Sequence, residues 1–224
     1  ATSGTTRICP SSMLGGYPAR AGPRGSVSRM SQEGPLRDRA YELMTEWTPS
    51  EALQRHMLAV EAAVVAYARA EGADEDLWAA TALLHDFDYE RHPDPSEDGH
   101  PYVGVRHLRE QGWPDELCEA ILGHADYTGV PRTTRLAKVL YACDEITGLI
   151  TAAVLVRPDK DIAGQTVKSL KKKFKDKAFA RGVHRDEVRR GAEELGVELW
   201  EHVAFVLSAM QERSAALGLD GSEA

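Results

Sequence analysis

The sequence predicts an all-α fold: a helical bundle with additional helices towards its C-terminal end. Three observations lead there. Apolar residues recur three and four positions apart along most of the chain. Stretches with that period start at Thr, Ser, Asp or Pro and stop at Gly or Pro, the residues that cap and end helices. No run alternates apolar and polar residues as a half-buried strand would, and no internal repeat is present.

The first strong helix is expected from Thr48-Pro49-Ser50-Glu51. Thr48 is read as the N-cap, Pro49 as the first helical residue and Glu51 as the third, completing a capping box. It runs through His56 to Glu71 and stops at Gly72. His56 shares its face with Ala52, Leu53, Ala59, Val60 and Ala63, so its imidazole is expected to face the core. A second helix starts at the cap Asp74 and carries His85 and Asp86 to its end, His85 sharing its face with Trp78, Thr81 and Ala82 and Asp86 with Ala79, Ala82 and Leu83. A polar loop, Asp88 to Gly99, follows. Pro101 then reads as the first residue of a third helix ending near Gly112, which puts His100 at a helix start. Pro114 opens a fourth helix with Leu117, Ala120, Ile121 and His124 on one face. Thr133 or Thr134 begins a fifth, where Ala137, Leu140, Tyr141 and Asp144 share a face. Gly148 continues that face and leaves room for a ligand. The fifth helix is expected to reach Val156 and break at Pro158.

The texture then changes. Val167, Leu170, Phe174 and Ala178 form an apolar stripe, with Lys168, Lys171, Lys172 and Lys175 beside it. Asp159 to Arg181 carries eight basic and three acidic residues within a chain of net charge −8. A long final helical region is expected from Asp186 to about Ala216, with Gly191 and Gly196 as its weak points.

The 224 residues are expected to form one helical domain from about Arg37 to Ala216: a site-bearing core, 50–153, and a basic segment with C-terminal helices, 157–216. Residues 1–32 contain no acidic residue and are rich in Gly, Ser, Pro and Arg. They are read as a disordered or over-extended leader, with Met30 as a natural start. Their composition resembles that of an organelle transit peptide, but they lack its amphipathic face. The net charge of −8 argues against a protein that coats nucleic acid. No apolar run is long enough to span a bilayer, so neither nucleic acid nor membrane is an expected partner. Cys9, Cys118 and Cys143 form neither a zinc-knuckle spacing nor a disulfide framework, which makes a reducing cytoplasm the expected location.

Six residues stand out: His56, His85, Asp86, His100, His124 and Asp144. One inward histidine is usually structural. Four imidazoles and two carboxylates on successive helices of one small domain are hard to explain as core packing, because buried polar groups need partners or a metal. The donor set suits iron, manganese, zinc, nickel or cobalt, and a carboxylate can bridge two of them. The absence of cysteine from the set argues against a closed structural zinc site. His92, His107, His184 and His202 are read as surface or structural histidines.

The order His56, His85-Asp86, Asp144 on consecutive helices resembles the HD-domain superfamily of metal-dependent phosphohydrolases, over roughly Ser50 to Ala153. His100 and His124 resemble the added ligands of its dinuclear, six-ligand subset, as in small stand-alone bacterial HD proteins. The resemblance implies an HD-domain helical bundle and two divalent transition-metal ions. It further implies that all six residues are ligands and that Asp86 is the bridge positioning the attacking hydroxide. There are departures. Phe87-Asp88-Tyr89 stands where many relatives have Ile-Gly, and Ala125 stands where the trinuclear branch has a second histidine. The expected function is hydrolysis of a phosphate ester or anhydride, nucleotides included, by a metal-bound hydroxide. The expected partner is a phosphorylated small molecule or nucleotide. The basic segment supplies the candidate phosphate clamps, Lys160, Lys172 and Lys173, against the alternative of a solvated helix face. Two other readings compete. Mixed-valent di-iron relatives use the same six ligands as oxygenases, and a non-catalytic HD module would only bind a ligand.

Overall fold

The computed structural model describes residues 34–222, so the expected leader, 1–32, lies outside the described residues. The chain is all-α. Its helices are α1 (Leu36–Trp47), α2 (Glu51–Glu71), α3 (Glu75–Leu84), α4 (Tyr102–Glu110), α5 (Asp115–His124), α6 (Arg135–Leu155), α7 (Val167–Lys175), α8 (Arg185–Leu195) and α9 (Leu199–Glu212). Among the described residues the only β-type pairing is one bridge between Asp161 and Asp220. No helix there is long and apolar enough to cross a membrane. Helix α6 is the central element and packs against α2, α5, α7, α8 and α9. Helix α2 lies between α3, α6 and α9, and α1 rests on α3.

Most helix ends follow the expected chemistry. Asp74 caps α3 by accepting from the backbone N–H of Asp76 and Leu77. Thr134 caps α6 through the N–H of Ala137, and Gly72 ends α2 in the left-handed conformation, at φ +66°. The start of α2 is different from the expectation. Ser50, not Thr48, is its cap and accepts from Leu53 N–H. Thr48 is fully buried, and its hydroxyl donates instead to the Phe87 carbonyl at 3.2 Å, tying the start of α2 to the segment that follows α3. Pro101 precedes α4 rather than beginning it.

Helix α1 has no sequence signal of its own. Pro35 precedes it and gives no side-chain cap. The Asp76 carboxylate of α3 takes that role and accepts from the N–H of Leu36 at 2.7 Å and of Arg37 at 2.9 Å. Arg37 then reaches α2, where its Nε donates to buried Glu61 at 2.7 Å. On the far side of the core, His202 of α9 accepts from or donates to Tyr67 Oη of α2 at 2.8 Å, and its Nε2 lies 2.8 Å from the Ala142 carbonyl of α6. The carbonyl can only accept, so Nε2 carries the proton and Nδ1 receives the tyrosine hydroxyl. Burial lowers the His202 pKa, in keeping with a neutral, structural ring. His202 therefore holds three helices together, as expected of a structural histidine.

The expected final helix is two. Gly196, at φ +77°, ends α8, and Glu198 caps α9 by accepting from the N–H of Trp200 and Glu201. Gly191 is not a weak point. It is where α8 meets α6: a Cβ built there would lie 2.7 Å from the Ala142 Cα. The apolar stripe of α7 is also shorter than expected. Leu170 and Phe174 are buried, but Ala178 lies beyond the helix and is exposed. In an unconstrained helix, alanine is more favourable than glycine by about 1 kcal/mol. Here the sign should reverse. Gly191→Ala should destabilise the protein by about 1–3 kcal/mol through overpacking, measured by denaturant or thermal unfolding. A variant as stable as the parent would show that the α6–α8 contact yields without strain.

Candidate metal centre

The six residues singled out in the sequence come together. His56 projects from the second turn of α2, Asp144 from the middle of α6, and His124 is the last residue of α5. His85 ends α3, Asp86 follows it, and His100 stands just before α4. The Asp86 carboxylate is at the centre. Its Oδ2 faces His85 Nε2 at 3.4 Å and His56 Nε2 at 3.8 Å. Its Oδ1 faces His100 Nε2 at 3.3 Å and His124 Nε2 at 3.4 Å. Each oxygen thus has its own pair of imidazoles. Asp144 Oδ1 joins the first pair, 3.0 Å from His56 and 3.6 Å from His85.

The helix ends explain why the Nε2 atoms point inward. The last carbonyls of a helix have no intrahelical partner. His85 Nδ1 bonds to the carbonyl of Ala82, three residues back in α3, at 2.8 Å. His124 Nδ1 does the same with Ile121 in α5. Since a carbonyl cannot donate, both rings are protonated at Nδ1, and in the neutral ring Nε2 keeps its lone pair. His100 is fixed by a carboxylate instead: its Nδ1 donates to Asp88 Oδ1 at 2.7 Å. Asp88 is itself buried, and its Oδ2 accepts from the Gly104 N–H at 2.6 Å. Gly104 is required there, because a Cβ would come within 2.7 Å of the Asp88 carboxyl carbon.

This donor set fits a cation. His85 Nε2 is buried without a hydrogen-bond partner, and the Nε2 atoms of His100 and His124 face one another at 3.3 Å. Two lone pairs so placed repel unless a proton or a cation lies between them. Ligands about 2.1 Å from one ion stand roughly 3.0–3.4 Å apart in octahedral or tetrahedral geometry, close to the separations seen here. Two clusters can each hold a metal ion: His56, His85 and Asp86, and Asp86, His100 and His124. Burial would lower the His85 pKa, yet the nearby Asp86 and Asp144 charges outweigh it and hold it well above its usual value. Burial also opposes ionisation of Asp144, but His85 and His56 keep its pKa below the usual carboxylate range.

The centre opens on a cleft of about 500 Å³ lined by Asp86, His100, His124 and Asp144, and by Tyr89, Asp126, Tyr127, Glu145, His184 and Glu187. Glu145, His184 and Glu187 make a third cluster able to hold an ion. His184 Nδ1 bonds to Glu187 at 3.0 Å, and its backbone N–H donates to Glu145 at 3.0 Å. Burial and the neighbouring Asp144 charge push the Glu145 pKa up to about 7. The loop after His124 is fixed through Asp126, which accepts from Arg132 at 3.1 Å, from Tyr141 at 3.2 Å and from Arg190. Arg132 also forks onto Glu194 of α8 at 2.7 and 2.8 Å.

Several of these roles are not visible in the sequence. His184 is a surface residue, as expected, but the sequence gives no sign that it lines the cleft. Asp88, Arg132 and Glu187 have no motif, and their partners lie between 3 and 62 positions away. Of the expected clamps, Lys172 is exposed on α7, Lys173 lies 4.3 Å over the Phe179 ring, and Lys160 precedes α7. None of the three lines the cleft. Nor does Gly148, where an added Cβ would meet Val183 at 3.9 Å.

The HD-domain family model matches residues 53–149, the span that carries all six residues. This span of the chain is an HD domain, a kind of domain that is typically a metal-dependent phosphohydrolase. No curated protein and no solved structure matches the chain.

Outer partners of metal-binding histidines commonly account for 10–100-fold in affinity. Asp88→Asn, which places an amide between His100 and Gly104, should weaken metal uptake at the His100–His124 half by roughly that factor. The His56–His85 half should keep its affinity. A metal titration resolving two classes of site checks this, and an unchanged weaker class would remove the orienting role from Asp88.

Proposed function

We propose that this protein is a metal-dependent phosphohydrolase that cleaves a phosphate ester or anhydride at a dinuclear centre. The observation carrying the reading is the division of one carboxylate, Asp86, between two imidazole pairs. A carboxylate so placed suits a bridge between two cations, with His56, His85 and Asp144 on one side and His100 and His124 on the other. Two divalent transition-metal ions, drawn from iron, manganese, zinc, nickel and cobalt, would supply Lewis acidity and activate water for attack on phosphorus.

The chain's own residues do the remaining work. Asp86, Asp144, Glu145 and Glu187 make the cleft acidic, so it repels a phosphate until cationic charge is bound. The side chains of His56, Asp86 and Asp144 are 18–24% exposed, so this edge of the cluster is where a substrate can approach. The His184 pKa is raised by its bond to Glu187 and by Glu145, which favours an imidazolium in the cleft able to contact a phosphoryl oxygen. Tyr89 and Tyr127, 47% and 51% exposed, offer aromatic faces at the cleft and suit a nucleotide base. Lys160, Lys172 and Lys173 would have to act from outside the cleft. A phosphorylated small molecule or nucleotide, met in the cytoplasm, is the partner this reading requires.

Asp86→Ala is the direct test. It should lower bound metal and abolish phosphate release from a panel of phosphomonoesters and nucleotides, while far-ultraviolet dichroism stays helical. Full metal occupancy with normal turnover in Asp86→Ala would end the dinuclear assignment. Metal analysis of the wild type separates the alternative chemistry: iron with oxygen uptake and no phosphate release would replace hydrolysis by oxygenation.

A further inference from the structure

A second cavity, of about 420 Å³, lies between the end of α7 and the start of α8, lined by Phe174, Lys175, Lys177, Arg185, Asp186 and Arg189. Four of the six are cationic and one is acidic, in a chain whose net charge is −8. The Arg185 guanidinium is the centre of this charge. Its Nε donates to the Phe174 carbonyl, Nη1 to Ala180 and Val183, and Nη2 to Asp176 and Phe179. All five N–H groups are thus satisfied by backbone carbonyls, which fold the 176–183 segment around the side chain. Carbonyls solvate the cation but do not neutralise it, and among the described residues Arg185 has no carboxylate partner. The same holds for Lys175 and Lys177, both exposed. Arg189 alone meets a carboxylate, the exposed Asp186, at 3.4 Å, and lies over the Phe174 ring at 4.8 Å.

The placement of these charges is electrostatically unfavourable as it stands. Lys175 at the C-terminal end of α7 complements the negative end of that helix. Arg185, as the first residue of α8, stands at a positive helix end, where a cation is disfavoured and an anion favoured. Lys177 and Arg189 add like charge in the same concavity. Such a group of unneutralised cations lowers its energy by taking up a multiply charged anion.

We propose that this cavity binds the di- or triphosphate group of a ligand, independently of the metal centre. The two sites are neighbours. His184 and Glu187 line the cleft while Arg185, Asp186 and Arg189 line the cavity, so the first turn of α8 separates them by about one helix diameter, roughly 10 Å. A lone phosphate would neutralise only part of the charge, whereas a phosphate chain matches the three side chains Lys175, Lys177 and Arg189 together.

The test is calorimetric titration of the full chain with sodium tripolyphosphate at low salt, after treatment with a chelator that is kept in the buffer. No metal is then present to bind the probe, and the metal-free cleft is acidic. The wild type should bind one equivalent, with affinity falling as salt rises. Lys175→Ala/Lys177→Ala should weaken binding tenfold or more. Both residues are exposed and without ion-pair partners, so the variant should fold normally. Lys168→Ala/Lys171→Ala removes the same charge from α7 outside the cavity and should change affinity less than twofold. Absence of binding by the wild type at low salt would overturn the proposal. So would equal losses in the two double variants, which would mean diffuse attraction to a basic surface.

Discussion

The structure depends on one largely buried electrostatic arrangement: a carboxylate, Asp86, surrounded by four imidazole Nε2 atoms at 3.3–3.8 Å. Removing such groups from water is costly unless each polar atom finds a partner. The outer nitrogens have theirs, in the Ala82 and Ile121 carbonyls and the Asp88 carboxylate. The inner ones have only Asp86, Asp144 and each other. The helices that meet here, α2, α3, α5 and α6, otherwise bury mainly apolar residues. The fold therefore uses its central packing to hold four inward-facing imidazoles and two carboxylates in register, one of them, His85 Nε2, with no hydrogen-bond partner, which is the arrangement expected of a binding centre rather than of a stabilising core.

The supports are distributed around that centre according to what each local backbone lacks. Where a candidate ligand ends a helix, as His85 and His124 do, the orphan carbonyl three residues back serves as its acceptor. His100, placed before a helix, has no such carbonyl available, and a buried carboxylate takes over. That carboxylate also receives the first-turn N–H of Gly104, so the same residue orients the histidine and anchors the start of α4. The departure at Phe87-Asp88-Tyr89 is accordingly three separate contributions. Phe87 packs in the core against Trp47, with ring centroids 4.9 Å apart, Asp88 holds His100, and Tyr89 lines the cleft.

What was legible in the sequence follows the range of the interactions. Caps within three residues, the helical period and the inward histidines could all be read locally. They gave the helical architecture and the six residues that converge. The start of α2 was misplaced by the pull of Thr48-Pro49, because the partner that takes Thr48 out of contention is Phe87, 39 residues on. Gly191 looked like a helix breaker because only the Ala142 backbone beside it shows why a side chain cannot be present. His184 carries no sign of its place in the cleft. It reaches it through the 176–183 segment wrapped around Arg185, and that wrapping is written in main-chain carbonyls, which have no sequence signature.

The capping of α1 by Asp76 has a consequence for the order of folding. The first N–H groups of α1 find their acceptors on a residue of α3 that lies 39 and 40 positions later in the chain. The nascent N-terminal segment can adopt helical turns transiently, but its terminus has no acceptor until α3 exists and has docked. Twelve residues with no cap of their own are marginal as an isolated helix in water. Helix α1 is therefore made before α3 but depends on it to become stable, so chain order and assembly order run in opposite directions between these two helices.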